Sequence, residues 1–170
     1  MDDKGANIVR AYEKYTGKTP KVYSSPGEPG KVLSKNTGEI IMMTEYRSLC
    51  GLTMFYSCKI GPECMYSNGQ LARHMTNPGE EHWIAMGRFV GYVYGKENHQ
   101  LIIKQPTELR VISPCDAGYG DCVDTRRSTG GEIHTLGGAL IGWKSQRQKT
   151  VSQSTTEAEY IQYSECCKEQ

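Results

Sequence analysis

The chain has 170 residues, a net charge of +1 and 37% hydrophobic residues with 19 glycines. That is long enough to bury a core as one ordinary domain or two small ones, and the modest hydrophobic content with abundant Gly suggests a globular but not especially stable chain. The net charge is too small to announce a nucleic-acid partner. No run approaches the length of a membrane span, and the charged N-terminus lacks an apolar signal core, so a soluble intracellular chain is expected.

In chain order, residues 5–16 (Ile8, Val9, Tyr12) read as a short amphipathic helix. Lys18 to Asn36 carries Pro20, Pro26 and Pro29 with interspersed glycines, a composition expected to form an extended linker outside any core. Three helices follow. Thr44–Ser57 repeats Tyr46, Leu49, Thr53 and Tyr56 at helical spacing. A second, opened by Pro62, aligns Cys64, Ser67, Leu71 and Met75; a third, after Asn77-Pro78, aligns Trp83, Met86, Val90 and Val93. Gly69, Gly87 and Gly91 inside these helices mark either close packing or a marginal bundle.

After Gly95 the period changes. Leu101–Ile103 and Leu109–Ile112 read as strands, and Glu132–Leu136 pairs with Ala139–Trp143 across Gly137-Gly138. Ser154, with Glu157 three positions on, caps a closing helix. The expected organisation is an N-terminal helix and linker (1–43), a helical region (44–105) and a strand-rich region (106–170).

Seven cysteines form no C-x-x-C pair, and His74, His82, His99 and His134 complete no zinc spacing, so reduced thiols are expected, several of them core fillers. Nor does a nucleophile triad or glycine-rich phosphate loop appear, which argues against a complete enzyme of those classes. Two carboxylates stand out. Asp116 follows a strand, and Glu159 lies in the first turn of the closing helix, so the two could converge on one Mg²⁺; as ordinary surface acids they would do nothing. From Thr125 to Thr150, Arg126, Arg127, Lys144, Arg147 and Lys149 face Glu132 alone, a basic patch suited to phosphates or simply a solvated face.

Asp116-Ala-Gly-Tyr-Gly, Asp124-Thr-Arg-Arg-Ser-Thr129, His134-Thr-Leu-Gly-Gly138, Trp143-Lys-Ser145, Gln148-Lys-Thr-Val151 and Ser154-Thr-Thr-Glu-Ala-Glu-Tyr160 occur in one order. That order resembles the ribonuclease H region of copia-type retrotransposon polyproteins. Upstream, Glu45-Tyr-Arg-Ser48 and Leu71-Ala-Arg-His-Met-Thr-Asn-Pro-Gly-Glu-Glu-His-Trp83 resemble the segment joining reverse transcriptase to ribonuclease H. Tyr15-Thr-Gly-Lys18 and Pro26-Gly-Glu-Pro-Gly-Lys31 fit the same place, so the resemblance covers nearly the whole chain.

The resemblance implies an α+β fold: a small helical connection segment, then a truncated, mixed ribonuclease H-like sheet with one packed helix. It implies that Asp116 and Glu159 are catalytic metal ligands for two Mg²⁺ ions in the intact domain, with Glu157 only a cap partner. Arg126, Arg127, Ser128 and Lys144 become candidate contacts to an RNA–DNA hybrid, although the arginines could instead pin a turn, and Trp143 and Lys144 could serve as hairpin packing and surface charge. The expected partners are the hybrid and the remainder of the polyprotein, with no membrane and no small-molecule substrate. The expected location is a cytoplasmic element particle with access to the nucleus. The family's third aspartate falls beyond Gln170, so this chain alone is expected to be inactive. Pro114, Gly118 and Gly61-Pro-Glu-Cys64 depart from the usual pattern. A non-enzymatic binding or assembly module and a decayed remnant remain the alternatives. An exposed sheet edge and an uncovered apolar helix face are also expected.

Overall fold

A computed structural model describes residues 3–96, 100–106 and 108–169, with only the backbone for Asp3 and Lys4. His99 lies outside the described residues. The architecture is α+β, and the chain forms two compact units, Met1–Gln100 and Leu101–Gln170.

The first unit is helical: α1 (Asp3–Thr16), α2 (Met43–Lys59), α3 (Met65–Ala72, entered through a 3-10 turn at Pro62–Cys64) and α4 (Glu80–Tyr94). The helical spacing of α2 delivers its consequence, since Tyr46, Leu49, Thr53 and Tyr56 are all buried. They meet Ile8 of α1, Leu71 of α3, and Met86, Phe89, Val90 and Val93 of α4 in one core. Two polar groups inside it find partners: Thr53 donates to Asn68 Oδ1 at 2.7 Å, and Tyr46 Oη donates to the Leu71 carbonyl at 3.0 Å. Burial pushes the Cys50 thiol up to about 12, so it sits in this core as a neutral filler.

The segment expected to be a free linker is extended but not free. Leu33 belongs to the core, and the Lys21 carbonyl lies so close to Gly91 that a Cβ there would fall within 1.8 Å of it. Gly91 therefore answers the question its sequence raised: it marks close packing, as does Gly87 beneath Tyr12, whereas a Cβ at Gly69 would meet nothing. Residues 1–43 are thus part of the helical unit, because a proline-rich strap gains apolar burial when a flat glycine face receives it. The motif around His82 is structural too. His82 Nδ1 accepts the Gly79 N–H at 3.0 Å, which leaves Nε2 to donate to the Ser34 carbonyl at 2.9 Å and fixes the tautomer. Trp83 donates to the Ile41 carbonyl at 2.8 Å and meets Tyr46 edge-on at 5.6 Å.

The second unit holds β1 (Val111–Ile112), β2 (Cys115–Gly118), β3 (Thr129–Leu136), β4 (Ala139–Arg147) and α5 (Thr155–Lys168). Central β3 pairs with β4 on one side and with both β1 and β2 on the other. Val111↔Leu136 and Cys115↔Glu132 share one register, so β1 and β2 are a single strand interrupted at Pro114. Ile133 donates to the Pro114 carbonyl at 3.1 Å, but proline has no N–H to return that bond. All these pairings are antiparallel; the parallel pairing a mixed sheet would add is not among the described residues. The β3–β4 turn is the expected Gly137-Gly138, both at positive φ, as a two-residue hairpin requires. Leu101–Ile103, expected as a strand, forms none: without a partner strand Ile102 and Ile103 stay exposed.

Ser154 Oγ caps α5 by accepting the Glu157 N–H at 3.1 Å. The Glu157 carboxylate reaches the Gln153 N–H at 2.6 Å, one residue before the expected partner. Ala158, Gln162 and Cys166, four residues apart, form the buried stripe of α5.

Candidate carboxylate site and nucleic-acid interface

The pleat decides which side chains α5 covers. Gln162 donates to Glu132 Oε2 at 3.0 Å, and a Cβ on Gly130 would collide with the same Gln162 amide, so Gly130 and Glu132 face α5. Their partners Ala117 and Cys115 therefore face it as well. Asp116, opposite Gly131, points to the other face of the sheet, where a Cβ on Gly131 would meet nothing. Glu159 lies on α5, and both carboxylates are exposed.

Their hard oxygen donors and access to water suit Mg²⁺ chemically. The arrangement does not suit a closed two-ion site: the strand aims Asp116 away from the helix that carries Glu159. Among the described residues no third acid joins the two, since the one group of three potential metal donors lies elsewhere. The residues present therefore do not by themselves fit the two-ion centre.

The turn between β2 and β3 is built by the residues of the Asp-Thr-Arg-Arg-Ser-Thr motif. Arg126 N–H donates to the Cys122 carbonyl at 2.7 Å, with Arg126 at φ 57°, a left-handed conformation uncommon outside glycine. Cys122 N–H donates to the Arg127 carbonyl at 3.2 Å. Ser128 is buried, and its hydroxyl accepts the Gly120 N–H at 3.1 Å, so this hydroxyl closes the turn from within. Arg126 remains exposed and Arg127 half-buried. Lys144 is held in place: its Nζ lies 2.8 Å from Glu169 and 3.9 Å from Glu132. The Glu169 hydrogen bond raises the Lys144 pKa and lowers that of Glu169. The basic patch thus reaches solvent chiefly through Arg126 and Lys149.

Two features escaped the sequence. In the helical unit a cavity of about 420 Å³ opens between the proline-rich strap and α3–α4, lined by Tyr23, Pro26, Lys31, Gln70 and Arg88 among others. In the sheet unit Glu132, His134 and Cys166 bring a carboxylate oxygen, a ring nitrogen and a thiol within 4.8 Å of one another. The second was visible only as Glu132 and His134 at strand spacing; nothing in the sequence placed Cys166 against them.

Comparison with known proteins identifies the setting of these elements. The Pol polyprotein of transposon RE1 from Arabidopsis thaliana is 35% identical over 143 residues, 84% of this chain and 10% of that protein. The Pol polyprotein of transposon TNT 1-94 from Nicotiana tabacum is 31% identical over 169 residues, 95% of this chain and 13% of that protein. Secreted RxLR effector protein 161 of Plasmopara viticola is 30% identical over 124 residues, 73% of this chain and 87% of that protein. No family model and no solved structure matches the chain. An α+β segment with these motifs in this order is a piece of the protein machinery of a retroelement. The chain belongs to the copia-type retrotransposon Pol polyprotein family, and it spans about a tenth of the length of the polyproteins it matches.

Proposed function

We propose that this chain is the part of a Pol polyprotein that connects reverse transcriptase to ribonuclease H and carries the opening strands and first helix of the latter. In the intact protein the domain would cleave the RNA strand of an RNA–DNA hybrid. By the family resemblance Asp116 and Glu159 match two of its carboxylates. Since the strand aims Asp116 away from α5, the remainder of the polyprotein would have to bring the two acids to one face as well as supply the other ligands of the Mg²⁺ site. One observation carries this reading: an antiparallel three-strand meander bearing Asp116 leads into a capped helix bearing Glu159, within a chain that aligns along 95% of its length with a Pol polyprotein. No chemical step belongs to this chain alone, because its two carboxylates lack a common face. Its own contribution to substrate handling is electrostatic, through exposed Arg126 and half-buried Arg127 on the β2–β3 turn and through exposed Lys149 after β4. The particle in which it would act is cytoplasmic, with access to the nucleus.

The test is a hybrid-cleavage assay with Mg²⁺, comparing this chain with the same chain continued into the remainder of a Pol polyprotein. The continued protein should cleave and lose activity on Asp116→Asn or Glu159→Gln, while the chain alone should not cleave. Robust cleavage by the chain alone, abolished by Asp116→Asn, would overturn this division of labour. Binding of the chain to hybrid should weaken as salt rises, and the log–log slope should fall by about one for each phosphate-contacting arginine neutralised.

A further inference from the structure

The interior of the sheet–helix interface holds a carboxylate in an unusual state. The Glu132 side chain is 1% exposed, and Gln162 satisfies Oε2, but buried Oε1 has no hydrogen-bond partner. Lys144 is too distant to donate to it at 3.9 Å and is engaged by Glu169 at 2.8 Å. A buried carboxylate oxygen without a donor is costly, and native interiors rarely keep one without a bound water or ion. His134 Nε2 faces that oxygen at 3.8 Å, and the Cys166 thiol completes a triangle with both.

We propose that Glu132, His134 and Cys166 form a binding site for a zinc-class divalent cation that ties α5 to the central strand. The donor set selects the metal: thiolate and imidazole suit Zn²⁺ and its neighbours, whereas Mg²⁺ takes oxygen ligands. This site is therefore distinct from any centre involving Asp116 and Glu159. Tetrahedral Zn²⁺ bonds of about 2.0–2.3 Å put its ligand atoms roughly 3.5 Å apart. The observed spread of at most 4.8 Å needs only small rotations of the three side chains. Partners for the ligands are already in place. His134 Nδ1 and the Ser113 hydroxyl lie 2.8 Å apart, which orients the ring with Nε2 toward the site. Gln162 holds Glu132 by its other oxygen. The Cys166 thiol donates to the Ser113 carbonyl at 3.5 Å, a weak bond it gives up when its proton leaves. On binding, the thiol proton leaves to solvent, sulfur, nitrogen and oxygen each form a bond to the metal, and water fills the fourth position. Because Cys166 lies seven residues beyond Glu159 on α5, the metal would fix the helix that presents that acid.

The test uses the full chain, stripped with chelator and titrated with Co²⁺. One Co²⁺ per chain should bind, with tetrahedral ligand-field bands and a thiolate-to-cobalt charge-transfer band. Equimolar Zn²⁺ should displace it, and excess Mg²⁺ should not. Cys166→Ser should abolish the charge-transfer band. Glu132→Gln and His134→Gln should each weaken binding at least about tenfold. Lys144→Gln should strengthen it, since a neighbouring cation is removed. Cys58→Ser and Cys167→Ser, at exposed thiols, should change nothing. Charge transfer that survives Cys166→Ser, equal loss at the exposed cysteines, or no stoichiometric binding would overturn the proposal. Should Cys166→Ser fail to fold by circular dichroism, the Glu132→Gln and Lys144→Gln pair decides, because the proposal requires opposite changes in affinity.

Discussion

Both units bury polar side chains, but they differ in the apolar ones they bury. The helical unit fills its core with Tyr46, Leu49, Met86, Phe89 and Val90, and its buried threonine and tyrosine hydroxyls find partners within it. In the sheet unit the buried apolar residues are small, Cys122, Ala139, Ala158 and Cys166, and the rest of the interior is polar: Ser128, Glu132, Gln148, Ser152 and Gln162. Its larger apolar side chains, Val111, Ile112, Ile133 and Ile141, stay exposed on the strands, and Tyr160 and Tyr163 on α5. The expected uncovered helix face is present, and the sheet adds another. The first unit thus rests on volume, the second on directional bonds such as Gln148 to the Ala158 carbonyl at 2.8 Å and Ser152 to Gln148 at 2.9 Å. A fold of the first kind tolerates changes in detail but not in size; a fold of the second kind has the reverse sensitivity.

The chain offers a way to read the two separately, because its two tryptophans, Trp83 and Trp143, fall one in each unit. Single-tryptophan versions followed by fluorescence in urea should break or sharpen the contrast. The largest effect is expected from Phe89→Ala, a loss of about 3–5 kcal/mol in the Trp83 transition, whereas Ile133→Ala, at a side chain 45% exposed, should move the Trp143 transition by less than about 0.5 kcal/mol. Comparable losses at the two sites would refute the contrast. Next in size is a pair of glycines. Gly91→Ala drives a methyl into the Lys21 backbone and should cost about 1–3 kcal/mol, while Gly130→Ala meets only the Gln162 amide, which can turn aside, and should cost less.

The smallest effect concerns pH. Hydrogen bonding to Lys144 lowers the folded-state pKa of Glu169 below its unfolded value. The stability this pair contributes is present above the unfolded carboxylate pKa and is lost as pH falls through the lowered folded one. Glu169 is exposed and Lys144 partly so, so acid titration of Lys144→Gln against the parent should reveal only a slight difference, confined to the Trp143 transition. A difference persisting unchanged at the acid end would assign Lys144 another role.

How much of this was legible depended on periodicity. The α2 stripe, the Gly137-Gly138 turn and the Ser154 cap could be read because each is local chemistry at fixed spacing. The strap at 18–36 could not: its composition is that of a linker, and only the smooth surface around Gly91 and Gly95 lets it pack. Leu101–Ile103 misled for the opposite reason, being apolar without a neighbour to pair with. Glu132 in a strand reads as a solvent-facing residue, and its burial depends on Gln162, thirty positions away. The direction of Asp116 follows from register, which no motif specifies, so matching the two acids by resemblance said nothing of whether they share a face.

Gly130 has a consequence for how this segment changes over generations. The Gln162 amide lies in the space a side chain there would occupy, so the amide keeps its hold on Glu132 only while position 130 has no side chain. Copies of the element that drift at position 130 would first turn the Gln162 amide away from Glu132, with every acid still spelled in the sequence. A damaged copy could therefore keep all its signature letters, and position 130 would be the place to look for the injury.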